Sequence, residues 1–476
     1  MIRMRLSDIA LALGAELSGV DGWIQGCDVD SRRLPAQALF VALRGRNQDG
    51  HRFIGDAENR GAGGVMVEDA KPGQRRLAML KVANTRFALG ELARVWRRRF
   101  QLPVVAVTGS NGKTTVKELI AGILRQAGRT LATAGNFNND IGVPLTLFGL
   151  GQQHDFACIE MGANRAGEIA RLTAIAEPTV GVITQCGAAH LEGFGSLEGV
   201  AHAKGELFRG LDPSATAIIN ADDPYAALLT EFAGNRRQIT FGLTCEADIW
   251  ATWYPAAQGA VLDINTPAGP TEVRFALDGR HNVQNALAAV AATLAMELPL
   301  ETIRRGLEAA RAIAARMERK PGLRGIAVID DTYNANPASL AAALEVLASA
   351  AGRRWLVLGD MGELGPEAPQ WHQRAGELAR RQGVERLYAL GALGRMAAEA
   401  FGAGGVYCES HAVLLEALCG ELSPGLTLLV KGSRSMHMEE IVAGLTCYGA
   451  QPPEMAVPPP RVQPRTTATE ALPERD

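Results

Sequence analysis

The sequence predicts an α/β protein of three domains followed by a polar tail. Its 476 residues are too many for one ordinary domain and favour about three. Apolar runs of strand length alternate with helical patterns from residue 104 to about 315, and again from about 320 to 448. We expect a small α/β domain over residues 1–100, a mainly parallel central sheet with an antiparallel addition over 101–317, a Rossmann-like domain over 318–450 and a disordered tail over 451–476.

Composition excludes several classes of protein. With 47% hydrophobic residues the chain can bury full cores, and a formal net charge of -3 provides no global field for nucleic acid or an anionic membrane. The seven cysteines are scattered without a Cys-x-x-Cys pair, which favours reduced thiols over a zinc site or disulfides. The N-terminus turns polar too early for a signal peptide, and no apolar run reaches the length of a membrane span. A cytoplasmic enzyme without membrane insertion is the expectation.

The first block combines short strands with loops rich in Ser, Arg and Asn. Strands are predicted at 24–29, 38–43 and 65–67, and Thr85 is a candidate cap for a helix that runs to Phe100. Loops of this composition suit an anionic ligand with hydrogen-bonding rings, but ordinary solvated loops have the same composition. Three arginines end the predicted helix at 97–99, where cations favourably meet its dipole.

The two later blocks account for most of the predicted sheet. Central strands are expected at 104–107, 130–133, 156–159, 180–184, 215–219 and 238–241, with an antiparallel addition at 249–254, 261–264 and 273–277, and helices at about 281–296 and 301–315. The third block should hold strands at 326–329, 355–358, 386–390, 405–408 and 426–430. Because polar residues follow many of these strands, a ligand site is expected at the carboxyl edge of the sheets.

The stretch from Val107 to Thr115 predicts a site for a nucleoside triphosphate. It reads Val-Thr-Gly-Ser-Asn-Gly-Lys-Thr-Thr between a predicted strand and a predicted helix. Glycines allow close approach of phosphate oxygens, the helix N-terminus offers free N–H groups, and Lys113 and Thr114 can meet phosphate and magnesium. The usual P-loop has a further glycine where this chain has Val107, and the alternative is a turn that only connects strand to helix.

Other polar positions are ambiguous when each is considered alone. Glu160 follows a strand, as an acidic magnesium ligand does, but it could equally cap the next turn. His190 in a glycine-rich loop and Lys204 on a helix that Ser196 could cap would ordinarily be surface residues. Asn282 and Asn285 share one helix face and could hydrogen-bond a base edge.

The third block repeats the pattern of a strand followed by polar loop residues. One strand ends in Asp330-Asp331-Thr332-Tyr333-Asn334-Ala335-Asn336-Pro337, with Arg316 upstream. Two acids at the end of a strand are costly unless they face cations or donors, although a helix-start cap is the plain alternative. The loops at 359–365 and 431–434 have the same character.

Together and in this order, the motifs resemble the Mur ligase family of ATP-dependent amide-forming enzymes, over about residues 25–445. The family's ATP loop is similar to Thr108-Gly109-Ser110-Asn111-Gly112-Lys113-Thr114, including the absent upstream glycine. The resemblance implies ATP and Mg²⁺ as cofactors, with Lys113 on the phosphates, Thr114 and Glu160 on one magnesium, and His190 on a second. It also implies that Lys204 is the lysine that relatives carbamylate to support that metal.

The resemblance assigns further residues by position. It places ATP against Thr115 as well, with adenine on Asn282 and Asn285, and the phosphate and ribose side on Arg316 and Asp331. The remaining implied substrate residues belong to a UDP-binding loop set, to the 136–144 motif and to the third domain: Ser31, Arg32, Asp49, Asn136, Asn138, Lys431, Ser433 and Arg434.

Four stretches, at 136–144, 159–164, 330–337 and 359–365, resemble the family member that joins D-alanyl-D-alanine to UDP-N-acetylmuramoyl-tripeptide. These two substrates, without nucleic acid, are the implied partners of a protein expected to be a monomer. No pattern decides the third residue of the tripeptide. Another amide ligase of the superfamily, such as a folylpolyglutamate ligase, and a nucleotide-binding switch without ligase activity are the alternatives.

Overall fold

The computed structural model describes residues 1–45, 48–69, 77–188, 191–256 and 259–446. Within these ranges the strands form four sheets of two, five, nine and six strands. Mixed α/β architecture with mainly parallel large sheets confirms the predicted fold class. Of the described helices, none has the length and apolar character needed to cross a membrane.

The N-terminal region carries the two small sheets. The first pairs β1 with β3 antiparallel, and the second has the order β2-β7-β6-β5-β4, parallel except for the β2-β7 pair. The strands are β1 Arg3–Arg5, β2 Glu16–Ser18, β3 Trp23–Gln25, β4 Cys27–Asp28, β5 Leu39–Val41, β6 Gly64–Val67 and β7 Met79–Lys81. The helices are α1 Leu6–Leu13, α2 Ile54–Asn59 and α3 Thr85–Arg97.

Three local predictions in this region need correction. The strand expected at 24–29 is divided at Gly26, whose φ of 97° only glycine adopts readily. Helix α3 is capped by Asn84, whose side chain accepts from Phe87 N at 2.8 Å, while the Thr85 hydroxyl donates to Ala42 O at 3.0 Å. Arg97 is buried and donates to several carbonyl oxygens at distances from 2.6 Å. It therefore joins neighbouring segments by hydrogen bonds, in addition to any favourable interaction with the helix dipole.

The central sheet has nine strands in the order β16-β15-β14-β13-β12-β11-β8-β10-β9. The pairs from β9 to β14 are parallel, and β14, β15 and β16 form the predicted antiparallel addition. The strands are β8 Val104–Thr108, β9 Thr130–Ala132, β10 Phe156–Glu160, β11 Val180–Ile183, β12 Thr216–Asn220, β13 Arg237–Gly242, β14 Ile249–Pro255, β15 Ala260–Thr266 and β16 Gly269–Phe275. The helices are α4 Lys113–Ala127, α5 Gly142–Leu147, α6 Glu168–Ala176, α7 Leu191–Phe194, α8 Leu197–Arg209, α9 Ala226–Ala233, α10 Arg280–Ala295 and α11 Leu300–Glu308.

The third sheet has the order β17-β18-β22-β19-β20-β21, parallel apart from the β17-β18 pair. Its strands are β17 Glu318–Pro321, β18 Ala327–Asp331, β19 Arg353–Gly359, β20 Arg386–Leu390, β21 Gly405–Cys408 and β22 Leu426–Lys431. Its helices are α12 Pro337–Ala348, α13 Ala368–Arg381, α14 Gly394–Phe401, α15 His411–Glu421 and α16 Glu439–Thr446. The polar edge strand β17 was not predicted, because its sequence Glu-Arg-Lys-Pro lacks the apolar alternation that marks a strand.

Each large sheet has a hydrophobic core on both faces. One face of the central sheet shares a core with α3 and the N-terminal region, while α4, α10 and α11 cover the other. Strand β8 lies between β10 and β11 and is wholly buried, so the loop that follows it emerges at the middle of the carboxyl edge. Helix α11 ends at Glu308, earlier than predicted, and the chain then turns through left-handed backbone at Ala315 and Met317 before it enters the third sheet.

Candidate active site

The loop between β8 and α4 is built around two glycines that neighbouring side chains approach closely. Gly109 has a φ of 141°, and a Cβ there would lie 2.0 Å from Thr184 Oγ1. Gly112 has a φ of 82°, and a Cβ there would lie 2.5 Å from Asn285 Oδ1. Both positions therefore require glycine for backbone conformation and for space. This backbone leaves the loop with the compact glycine turn that close approach of phosphate oxygens requires.

Lys113 begins α4 and keeps its ammonium at the mouth of this loop. Its Nζ donates to Gly109 O at 2.6 Å and to Ser110 O at 3.0 Å. Burial lowers the pKa of Lys113 to about 8, although attraction to Glu160 opposes that shift. A cation held at a helix N-terminus is suited to polyphosphate.

The other loop residues are fixed by bonds to neighbouring elements. Thr108 Oγ1 donates to Met161 O at 2.7 Å, and Ser110 Oγ donates to Gly187 O at 2.9 Å. Thr114 Oγ1 accepts from the Arg316 guanidinium at 2.9 Å, and Thr115 is buried. Asn111 exchanges amide hydrogen bonds with Asn336 at 2.7 and 3.4 Å, so the loop contacts the N-terminus of α12 directly.

Glu160 is a buried carboxylate with unused bonding capacity. It ends β10, is 2% exposed, and accepts through Oε1 from Asn138 Nδ2 at 2.8 Å. Its Oε2 is buried and has no hydrogen-bond partner among the described residues. A buried carboxylate oxygen without a donor is costly unless a cation lies beside it, which fits a role as a magnesium ligand.

The described residues contain no group of three or more His, Cys, Asp or Glu side chains that could hold a metal. A magnesium ion at Glu160 and Thr114 would thus depend on phosphate and water oxygens for its remaining ligands, as this ion commonly does. His190, the candidate for a second magnesium, lies outside the described residues.

Lys204 is buried, unlike the surface lysine that its sequence context alone would indicate. It lies on α8, whose N-terminus Ser196 caps as predicted by accepting from Gly199 N at 3.0 Å. The side chain is 1% exposed, with Nζ 3.4 Å from Ala163 O and 5.2 Å from the centre of the Phe194 ring. Burial, reinforced by repulsion from Lys113, lowers the pKa of Lys204 to about 7. A large fraction of its amine is therefore neutral near pH 7.

The predicted adenine and ribose residues lie around the same loop. Asn282 and Asn285 are linked by a hydrogen bond of 3.1 Å, and Asn282 also donates to Asp278 O at 2.8 Å. Arg316 stacks 4.0 Å from the centre of the Tyr333 ring. Asp331 accepts from Met317 N and from the buried ammonium of Lys431, which joins the ends of β18 and β22.

A single cavity of about 860 Å³ connects these groups. It lies between the central and third sheets and extends to Arg86 at the start of α3. The predicted residues that line it are Asn111, Gly112, Lys113, Thr115, Asn136, Asn138, Glu160, Asn282, Asn285, Arg316, Asp331 and Lys431. Lys204 lies behind the lining, against Ala163, which does line the cavity.

The N-terminal candidates form a separate group beside this cavity. Ser31 is buried, Arg32 is exposed and paired with Asp30 at 2.8 Å, and Asp49 accepts from His51 N at 3.0 Å. None of the three lines the cavity. Arg33 links this group to the cavity, because its guanidinium lies 5.5 Å from the centre of the Phe137 ring. Phe137 stands in the sequence between Asn136 and Asn138, which line the cavity.

Two third-domain candidates lie outside the cavity lining. Ser433 is buried and accepts from Gly362 N at 2.7 Å, whereas Arg434 is exposed and pairs with Glu439 at 3.1 Å. The sequence interpretation also omitted residues that the fold places at the site. Thr184 packs on Gly109, and Arg86, Asp140 and Arg171 line one end of the cavity. Of the omitted residues, Asp140 lies within the 136–144 motif and Asn336 within the 330–337 motif, so membership of these motifs could have indicated both.

The arrangement of these residues is typical of nucleotide-dependent enzymes, and comparison with protein families identifies the family. Residues 23–97 match the model "Mur ligase family, catalytic domain", residues 107–293 match "Mur ligase middle domain" and residues 315–434 match "Mur ligase, glutamate ligase domain". The chain belongs to the Mur ligase family. This confirms the resemblance drawn from its motifs.

Individual relatives are similar over nearly their whole length. The UDP-N-acetylmuramoyl-tripeptide--D-alanyl-D-alanine ligase of Escherichia coli strain K12 is 41% identical over 94% of this chain and 99% of its own. A crystal structure of MurF from Acinetobacter baumannii superposes with a TM-score of 0.88 at 35% identity, covering 93% of this chain and 98% of that one. MurF ligase from Thermotoga maritima in complex with ADP gives a TM-score of 0.79 at 26% identity, covering 88% and 96%.

Proposed function

We propose that this protein joins D-alanyl-D-alanine to UDP-N-acetylmuramoyl-tripeptide at the expense of ATP, as a step of peptidoglycan precursor synthesis. The relatives with this named activity support the assignment over 94% of the chain. The observation that carries it is the convergence of Lys113 and the unpartnered oxygen of Glu160 at one cavity between two sheets, with the buried Lys204 directly behind the cavity lining. Such a site suits phosphoryl transfer to an anionic acceptor, enclosed by a second domain.

The chemistry follows from charge. A carboxylate is a poor electrophile, so its oxygen first attacks the γ-phosphorus of ATP, releasing ADP and forming an acyl phosphate. The amine of D-alanyl-D-alanine then attacks the acyl carbon, inorganic phosphate leaves and a proton is lost as the amide forms. Lys113 is placed to offset the charge that gathers when two anions meet. Thr114 and Glu160 would hold Mg²⁺, which when bound supplies further positive charge.

Lys204 has a supporting role in this proposal. A carbamyl group forms when a neutral amine attacks carbon dioxide, and it converts a cation into an anion. The lowered pKa of Lys204 provides the neutral amine near pH 7, and its burial beside Ala163 protects the product. The anion would then favour a second magnesium, for which His190 is the other proposed ligand.

The remaining roles follow the division into domains at residues 1–100, 101–317 and 318–450. Ser31, Arg32 and Asp49 are proposed to meet the UDP end of the substrate, and Asn136 and Asn138 its peptide. Asn282 and Asn285 would bind adenine, and Arg316 and Asp331 the phosphate and ribose. Lys431 and Ser433 remain proposed contacts of the amine substrate, whereas Arg434, which is exposed and paired with Glu439 outside the cavity lining, is proposed not to contact it in this arrangement. We further propose a cytoplasmic monomer.

The decisive experiment measures inorganic phosphate release against each substrate. We expect release only when ATP, UDP-N-acetylmuramoyl-tripeptide and D-alanyl-D-alanine are all present, and a trapped acyl hydroxamate when hydroxylamine replaces the dipeptide. Release that does not require both acceptor and dipeptide would overturn the assignment. Tight ATP binding without any hydroxamate would instead indicate a nucleotide-binding switch.

A further inference from the structure

Helix α10 presents three side-chain amides to the cavity, and two of them bond largely to the protein. Asn282 donates through Nδ2 to Asp278 O at 2.8 Å and accepts through Oδ1 from Asn285 Nδ2 at 3.1 Å. The Oδ1 of Asn285 faces the phosphate loop, since a Cβ at Gly112 would lie 2.5 Å from it. What these two amides keep for a nucleotide base is therefore chiefly N–H donors. Such donors meet ring nitrogens such as N7, an acceptor that adenine and guanine share.

The third amide, that of Gln284, is oriented by a carboxylate. Its Nε2 donates to Asp222 Oδ2 at 3.1 Å. That carboxylate is in turn held by Leu243 N, Cys245 N and both the backbone and the hydroxyl of Thr244, which donate to it at 2.7 to 3.0 Å. Although burial acts against them, these bonds lower the pKa of Asp222 to about 2, so the group is ionised and can only accept. The amide nitrogen of Gln284 must therefore face Asp222, and Oε1 is turned away from it.

Gln284 stands at an apolar part of the cavity wall that suits a flat ring. It lines the cavity together with Phe241 near the end of β13 and Ala288 one turn further along α10. From the third domain, Ala338 and Ala342 of α12 line the same cavity. Small side chains on both helices leave room for a planar base. Among the described residues, no donor bonds to Gln284 Oε1, so this acceptor is available to that base.

We infer that Gln284, positioned by Asp222, selects adenine by accepting a hydrogen bond from its 6-amino group. A base with a carbonyl oxygen at position 6, such as guanine or hypoxanthine, would place one acceptor against another and leave both without a donor. Asn282 and Asn285 would bind ring nitrogens that all purines offer, so the choice of base falls to Gln284. This inference rests on the proposed use of ATP, since it assigns the residue that recognises the base of that nucleotide.

The test measures dissociation constants by titration calorimetry for three nucleoside diphosphates in the presence of Mg²⁺. They are ADP, purine riboside diphosphate, which lacks the 6-amino group, and inosine diphosphate, which has a 6-carbonyl group. We expect the wild type to bind ADP about fivefold tighter than purine riboside diphosphate and at least about thirtyfold tighter than inosine diphosphate. In Gln284→Met, ADP and purine riboside diphosphate should bind equally within about twofold, because the acceptor is removed while the side chain keeps its length.

The matched control is Gln238→Met, which removes the amide of a glutamine on β13 outside the cavity lining and should keep the wild-type ratios. If Gln284→Met weakens all three diphosphates by the same factor, or leaves their ratios unchanged, the inference is wrong. If that variant does not fold, Asp222→Asn provides the second measurement. Its amide can donate, so Gln284 can turn Nε2 toward the base, and discrimination against inosine diphosphate should fall to about fivefold or less. An unchanged ratio in Asp222→Asn would overturn the inference.

Binding of these diphosphates requires neither the tripeptide nor D-alanyl-D-alanine, so the inference and the proposed function can fail separately. The expected ratios in a protein that ligates no tripeptide would support the inference and refute the proposed function. Ligation by a wild type that binds all three diphosphates equally would do the reverse.

Discussion

The carboxyl edges of the central sheet and of the third sheet look alike in sequence but differ in bonding. In both, strands end in loops rich in Gly, Asp, Asn and Lys. At the central edge, among the residues that the structure describes, Glu160 keeps a buried oxygen without a hydrogen-bond partner, and Lys113 donates hydrogen bonds only to carbonyl groups of its own loop. At the third edge, the carboxylate of Asp360 accepts from Leu393 N and Gly394 N, and Ser433 accepts from Gly362 N.

The difference teaches how to separate a ligand site from a structural loop. Many polar groups at the third edge satisfy one another, and the buried His372 accepts from Met361 N at 2.9 Å while its other nitrogen contacts Ala368 O. Glu439 Oε2 and Trp371 Nε1 nevertheless are buried without a hydrogen-bond partner among the described residues, so an unpartnered atom alone does not mark a ligand site.

What distinguishes the central edge is that Glu160 and Lys113 line the cavity, where a ligand could use their remaining charge and bonding capacity. Lys431 is the exception on the third edge, because it turns into the cavity and pairs with Asp331.

The largest expected effect lies at Lys204. We expect Lys204→Ala to lose ligation by at least about a hundredfold, because the buried amine that supports the metal site is removed. A small added carboxylate should restore part of the activity by replacing the missing anion. Steady-state ligation rates with and without acetate check this prediction, and full activity of the unsupplemented variant would contradict it.

The same residue also allows a stability measurement. Because the folded pKa of about 7 lies below the ordinary 10.5 of lysine, the unfolded state binds more protons between these values, and wild-type stability should rise with pH across that window. Lys204→Met removes the cost of burying the amine, so its melting temperature should exceed that of the wild type at pH 7, with a smaller gain at pH 10. An equal gain at both values would show that the shifted pKa is not the cause.

The pair of Lys431 and Asp331 is expected to give the next largest effect. Lys431→Met leaves Asp331 with Met317 N as its only remaining described partner, and breaking such a buried pair costs about 3 kcal/mol. Denaturant unfolding checks the value. Combining it with Asp331→Asn should recover most of the lost stability, and a double variant as unstable as the single one would instead point to lost packing.

Contact between the two sheets can be weakened at Asn336. Asn336→Ser keeps a residue able to cap α12 but is too short to reach Asn111, so the helix should persist while the amide pair is lost. We expect about fivefold higher KM for ATP and more ADP released per amide formed. Ser339→Ala is the matched control, because it removes a cap bond without contact to Asn111. If both variants release the same amount of ADP per amide formed, Asn336 serves only to cap α12.

Local patterns predicted the fold well where one element determines its own structure. The ends of the central strands β8 to β15 were predicted within one or two residues, since apolar runs and glycine turns are local signals. Strand β16 was predicted at 273–277 but begins four residues earlier, at Gly269, because its first half, Gly-Pro-Thr-Glu, lacks an apolar run. The glycine loop was found for the same reason. Long-range features were not predictable: β17 is a strand only because β18 offers an edge, and the burial of Lys204 depends on packing against Ala163 and Phe194.

The residues of the candidate site also fall into those that local sequence predicts and those that only the fold determines. Spacing could bring Asn282 and Asn285 to one helix face, but whether Lys431, Ser433 and Arg434 point together depends on how the chain leaves β22. Three neighbouring positions there face the cavity, the loop interior and the surface. A list of polar residues after a strand therefore predicts the place of a site better than its members.

The smallest expected effect tests that last point at Arg434. Its side chain is 63% exposed and its ion pair with Glu439 is a surface contact, so Arg434→Ala should change stability by less than about 0.5 kcal/mol. We expect kcat and the KM for D-alanyl-D-alanine to stay within about twofold of the wild type, because the residue does not line the cavity. A KM for the dipeptide raised tenfold or more, with the KM for ATP unchanged, would show instead that Arg434 reaches the amine substrate when the domains close, and the third edge would then contribute more than Lys431 to the site.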